Sequence, residues 1–227
     1  MYSWDFQILQ KDTNFDESLP HTFHEIFLDG FGLKEGWSIE GVKKALHQST
    51  LLGLLTSSAE TQDICGYAFY SVPEVPLLGT YMLWEDAICL RKSAQGKRLS
   101  TKVYELACEK LSGRRFGWIG GRTQNPVVMK RYANLGTVFP FEIGYSENEG
   151  KLVMEYLLQH IAEIREVDQL DRTNGICHRV YREGVLGDYP QIINQTNKFE
   201  EQLRRWGFDR HIGDAIIIVS KLNQPIQ

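Results

Sequence analysis

Five positively charged side chains, Arg91, Lys92, Lys97, Arg98 and Lys102, fall within residues 91–102, a window with no acid. With 25 Lys and Arg in 227 residues, such a window holds roughly one or two by composition. The cluster separates an apolar stretch that reads as a buried strand, Leu83–Leu90, from one with helical apolar spacing. The second stretch, Leu99–Leu111, carries Leu99, Val103, Leu106, Ala107 and Leu111. A cationic loop at a helix start suits an anion, because the first N–H groups lack intrahelical acceptors and the helix dipole adds partial positive charge. A solvated basic loop has the same composition, so these residues alone leave both readings open.

Other chemistry-bearing types are sparser. Cys65, Cys89, Cys108 and Cys177 are far apart, with no CxxC, and read as buried reduced thiols of a cytoplasmic protein. His21 and His24 stand three apart but lack a third metal ligand nearby, so no metal is expected. Ser57 and Ser58 form no recognisable nucleophile motif.

The elements that must position the basic loop follow from periodicity. Tyr2–Leu9 reads as a first strand, and Phe23, Ile26, Phe27 and Phe31 as a helix ending near Gly30 or Gly32. A second helix spans Ile39–His47. Leu51–Thr56 and Ile64–Val72 read as a hairpin, ended by Pro73 and Pro76. After the strand–loop–helix unit, Phe116–Gly121 is a short strand with Gly120 and Gly121, where a neighbour or ligand can approach the backbone. Pro126–Leu135 is a helix with Asn125 as N-cap, Pro126 in its first turn and Gly136 at its end. Thr137–Ile143 reads as a strand, Leu152–Ile164 and Phe199–Trp206 as helices, and Arg172–Pro190 as irregular. Asp214–Leu222, DAIIIVSKL, is apolar enough to want burial on both faces. It is therefore placed inside the main sheet, beside the strands at 116–121 and 137–143.

Hydrophobic content of 42%, charged content of 24% and a net charge of -4 suit a globular chain and argue against nucleic-acid binding. An apolar run of about 18 residues, as a membrane span needs, is not found, and the N-terminal residues do not read as a signal peptide.

Two separated segments together resemble the GNAT superfamily of acyl-CoA-dependent N-acetyltransferases. Gln95-Gly96-Lys97-Arg98-Leu99-Ser100 is similar to its acyl-CoA loop, Gln/Arg-x-x-Gly-x-Gly/Ala, with Arg98 replacing the central glycine and Ser100 the final small residue. Asn125, Tyr132, Leu135 and Gly136 have the spacing of its fifth strand and fourth helix. The resemblance covers roughly residues 1–143.

It implies an α/β (α+β) fold, with a mixed, mostly antiparallel central sheet flanked by helices; residues 144–213 have no counterpart in the family pattern and read as a helical insertion before the last strand. The chain then reads as a family-like core (1–143), a mainly helical extension (144–213) and a last strand with its tail (214–227), all one structural domain. The resemblance also carries a chemistry. It implies acetyl-CoA as cosubstrate and transfer of the acetyl group to a primary amine. The cosubstrate would be held by the Cys89 and Leu90 backbone, by Gln95, Gly96, Lys97, Arg98, Leu99 and Ser100, and by Asn125. Glu85 or Asp86 would take the proton, Glu85 favoured for its longer reach, and Tyr132 would protonate the leaving thiolate. A helical lid formed by the extension would favour a small amine over a protein. Membrane and nucleic-acid partners are not implied, and a homodimer is allowed. A non-catalytic CoA-binding protein, and an interaction protein working through 144–213, are the competing readings.

Overall fold

The computed structural model describes residues 2–10, 13–32, 37–57, 63–100, 102–141, 149–160, 167, 169–181 and 197–226. Its contacts divide into two units: residues 1–72, 83–114 and 226–227, and residues 73–82 and 115–225.

The first unit is built on antiparallel strands in the order β1 (Tyr2–Ile8), β2 (Leu51–Ser57), β3 (Ile64–Ser71) and β5 (Thr80–Leu90, from Leu83 onward). Phe6 lies opposite Gly53, where a Cβ would stand 2.6 Å from the Phe6 ring, so glycine lets that ring lie flat on β2. Helix α1 (Leu19–Phe31) buries Pro20, Phe23, Ile26 and Phe27, and ends at Gly32 in the left-handed region, φ 69°. Gly30, the other stop read from the sequence, stays helical. A Cβ there would sit 2.5 Å from the Leu90 carbonyl oxygen, so α1 approaches the end of β5 as only glycine allows. Helix α2 (Ile39–Gln48) is capped by Ser38, whose Oγ accepts from Gly41 N–H at 3.1 Å.

Helix α3 spans Val103–Lys110, not Leu99–Leu111. Leu99 is held outside it: its carbonyl accepts from Trp4 Nε1 at 2.9 Å, and its side chain packs with Leu55, Cys65 and Ala94. The buried stripe of α3 is consequently Val103, Tyr104, Ala107 and Cys108.

The second unit contains β4 (Glu74–Val75), paired with the first residues of β5, then β6 (Phe116–Thr123), α4 (Pro126–Leu135), β7 (Gly136–Phe139) and α5 (Glu149–His160). The short strands β8 (Leu170–Asp171) and β9 (Ile176–Cys177), helix α6 (Asn197–Arg205) and β10 (Ala215–Ile226) complete it. Its strand order is β6-β10-β9-β8, with β7 also on β10. The apolar tail strand thus pairs where its composition places it: Val219 lies opposite Phe139, Leu222 lies opposite Gly136, and Ala215–Ser220 are fully buried.

Strand β7 stops before Pro140, which has no N–H for a ladder; Ile143, read as its end, lies outside the described residues, as do 161–164 of the next helix. The region read as irregular contains a tight hairpin instead. Asp171 accepts from Thr173 N–H (2.8 Å) and Asn174 Nδ2 (2.6 Å), and Gly175 turns at φ 74°. No helix among the described residues is long and apolar enough to cross a membrane.

Candidate functional site

Strand β5 carries the two carboxylates at a break in its register. Phe69 of β3 pairs with Ala87, but Tyr70 pairs with Glu85, so Asp86 is the extra residue of a β-bulge. The bulge sends the acids to different partners. Glu85, 8% exposed, accepts from Tyr104 Oη at 2.7 Å, a bond reaching across from α3. Asp86 is half-buried and accepts from Ser71 Oγ at 2.7 Å and Ser49 Oγ at 3.3 Å. Ser49 is the C-cap of α2.

Beyond the bulge the register decides which backbone groups are spoken for. Arg91 N–H donates to the Cys65 carbonyl at 2.8 Å. Alternation then makes Cys89 with Tyr67, and Ala87 with Phe69, the hydrogen-bonded pairs. The backbone of Cys89 is therefore committed to β3, while that of Leu90 and of Ile88 points away from it. This corrects the reading in which Cys89 and Leu90 both offer backbone groups to an amide chain: Ile88 shares the direction of Leu90, and Cys89 does not. The Cys89 thiol is a core group, close to the Ile26 carbonyl (3.5 Å) and pushed up to about 12, chiefly by burial.

The basic loop follows as a moored structure. Gln95 Nε2 donates to the carbonyls of Gly30 (2.8 Å) and Leu90 (2.9 Å), and Asp29 accepts from Lys92 N–H at 2.9 Å. Tyr2 Oη lies 3.4 Å from the Ser93 carbonyl and accepts from Lys97 Nζ at 2.9 Å. Ala94 is buried against Leu55 and Cys65. Gly96 (φ 73°) and Arg98 (φ 58°) are both left-handed. Arg98, which stands where the resembling loop has glycine, thus adopts a conformation glycine takes without strain. No hydrogen bond among the described residues uses the N–H groups of Gly96 through Ser100, and none of their carboxylates pairs with Lys92, Lys97, Arg98 or Lys102. Successive N–H groups in a turn with left-handed residues, in a segment that also carries unneutralised cations, can hold a phosphate.

In the second unit, Asn125 caps α4: its Oδ1 accepts from Val127 N–H at 2.9 Å. Tyr132 is fully buried and donates to the Gly120 carbonyl at 3.1 Å, while its own carbonyl accepts from Ser220 Oγ. Both residues tie α4 to its surroundings as placed. A separate cleft of about 230 Å³ in this unit, lined by Thr80, Arg115, Trp118, Glu149 and Lys221 among others, contains none of the candidate residues. Among the described residues no group of three or more His, Cys, Asp or Glu could hold a metal ion; His24 Nδ1 lies 2.7 Å from the Trp37 carbonyl.

Sequence reasoning missed the residues that moor the loop (Tyr2, Trp4, Asp29, Gly30) and missed Tyr104. Gly30 alone left a signal, a glycine inside a helical pattern.

No protein-family model matches the chain, and no curated protein matches it. Solved structures similar to it include the ribosomal-protein-S18-alanine N-acetyltransferase from Escherichia coli, at 12% identity over 60% of this chain and 81% of that one, with a TM-score of 0.43. Arabidopsis thaliana NAA60 in complex with acetyl-CoA is similar at 10% identity over 58% of this chain and 84% of that one, TM-score 0.41. The NatC complex bound to Gag peptide and CoA is similar at 14% identity over 59% of this chain and 83% of that one, TM-score 0.41.

Proposed function

We propose that the chain is an N-acetyltransferase of the GNAT type, moving an acetyl group from acetyl-CoA to a primary amine. One observation carries the reading: the loop Gly96–Ser100 offers five N–H groups that no described residue accepts from, beside four cations that no described carboxylate neutralises. A pyrophosphate needs both. The loop's rigidity supports the reading, because its side-chain ties hold the N–H groups in place before a ligand arrives. The backbone groups of Ile88 and the N–H of Leu90, which point away from β3, suit the amides of the pantetheine arm, the Leu90 carbonyl being held by Gln95, and Asn125 is proposed as a further contact to that arm.

Transfer requires a neutral amine, so a carboxylate on β5 takes the proton of the ammonium, directly or through water. Glu85 is proposed for this step, held by Tyr104; half-buried Asp86 is the alternative on the other side of the bulge. Tyr132 is proposed to protonate the departing thiolate, which requires its phenol to leave the Gly120 carbonyl. A small amine is the proposed acceptor class.

Calorimetry with acetyl-CoA, CoA and dephospho-CoA tests the site, with dephospho-CoA expected to bind more weakly. Absence of CoA binding at millimolar concentration overturns the reading and favours an interaction protein working through 144–213. Release of free CoA with a panel of small amines and peptides tests the reaction. Binding without release on any amine favours a non-catalytic CoA-binding protein.

A further inference from the structure

We infer that Tyr104 is a positioning residue for the reaction, acting through Glu85; the inference rests on the acetyltransferase reading above. Tyr104 is the second residue of α3, the helix that follows the basic loop. Its hydroxyl donates to Glu85 Oε2 at 2.7 Å, and the two side chains are 2% and 8% exposed. Tyr70, opposite Glu85 on β3, meets the Tyr104 ring edge-on at 6.2 Å and 67°.

The packing fixes the Tyr104 ring, and the ring fixes the hydroxyl, so a flexible Glu side chain is held in one orientation. A short hydrogen bond to a carboxylate is charge-assisted and stronger than a neutral one. As a contribution to stability alone the arrangement is poorly chosen: an apolar pair of the same volume would serve the core as well or better. A carboxylate that must meet an amine at a set angle does need such a tie. Because Tyr104 and the loop belong to one continuous segment, the same helix start places the anion site and orients the carboxylate.

The test uses the full chain with Tyr104→Phe, Glu85→Gln and the double variant. Phenylalanine keeps the ring on Tyr70 and removes only the hydroxyl. The expected result is a kcat about 10- to 100-fold lower for Tyr104→Phe, with KM for acetyl-CoA and Kd for CoA unchanged, as for a lost bond to a charged group. In the Glu85→Gln background the same substitution is expected to lower kcat no further. An unchanged kcat in Tyr104→Phe or in Glu85→Gln overturns the inference, as does an effect that multiplies in the double variant. Loss of CoA affinity together with kcat marks a purely structural role and also overturns it. In each of these cases turnover by the unaltered chain leaves the acetyltransferase reading standing. No turnover by the unaltered chain sinks both.

Discussion

Replacing Arg98 with glycine should move stability and ligand affinity in opposite directions. Arg98 sits at φ 58°, a conformation that costs a residue with a Cβ about 1–2 kcal/mol. Glycine removes that strain but has a freer unfolded state, worth about 0.4–1 kcal/mol against it. The balance is roughly 0.5–1 kcal/mol of added stability, or about 1–4 °C in Tm for a chain of this size. The same change deletes one of the unneutralised cations around the Gly96–Ser100 N–H groups. For an exposed side chain that loss should weaken CoA binding about two- to fivefold, less at high salt. Thermal unfolding and calorimetry on one preparation read both effects. Arg98→Ala is the control: it loses the cation but keeps the left-handed strain, so affinity falls without any gain in Tm. A Tm that falls in Arg98→Gly, or an affinity that survives in both variants, refutes the account of the loop.

Gly30→Ala should lower Tm, because its Cβ would stand 2.5 Å from the Leu90 carbonyl oxygen, at a cost of about 1–3 kcal/mol; an unchanged melting curve would mean α1 slides easily over the end of β5. Tyr132→Phe should lower turnover by about 10²–10⁴-fold with CoA affinity retained, whereas unchanged kcat confines Tyr132 to tying α4 to β6. Burial raises the thiols of Cys89 and Cys108 from 9.0 to about 12. The unfolded chain therefore loses these protons first, so stability should be complete below pH 9 and decline between pH 9 and about 12. Denaturant midpoints across that range, compared with Cys89→Ala, check the sign, and a midpoint that rises with pH contradicts it.

Where the determinants of structure are local, the sequence announces them. Helix α4 runs from Pro126 to Leu135 as read, because Asn125, Pro126 and Gly136 act within one turn of its ends. The tail strand was legible from its unbroken apolar run alone. The start of α3 was not, because Leu99 is claimed by Trp4, a residue 95 positions away. The hairpin at 170–177 hid behind a composition of Asp, Thr, Asn and Gly that reads as loop until its turn bonds are seen. At the candidate site, the basic loop proposed to hold an anion stands out by charge and by motif, and the bulge that parts Glu85 from Asp86 does not. Neither acid signals that β3 skips a partner there, and Tyr104 lies outside the apolar stripe (Leu99, Val103, Leu106, Ala107, Leu111) read for that helix.

The mooring of the loop has a consequence for when the CoA binding proposed for it can arise. Its ties to Tyr2 and Trp4 span 91 and 95 residues. Closing so long a segment is an event that local helix formation does not provide. The loop can have its native shape only after β1 has docked on β2, so ligand affinity should appear in refolding with that late pairing and not with the earlier rise in helicity. The loop proposed to bind CoA is in this sense a reporter of completed topology. A refolding trace followed by CoA capture should lag one followed by circular dichroism, and amides of residues 91–99 should exchange with those of β1.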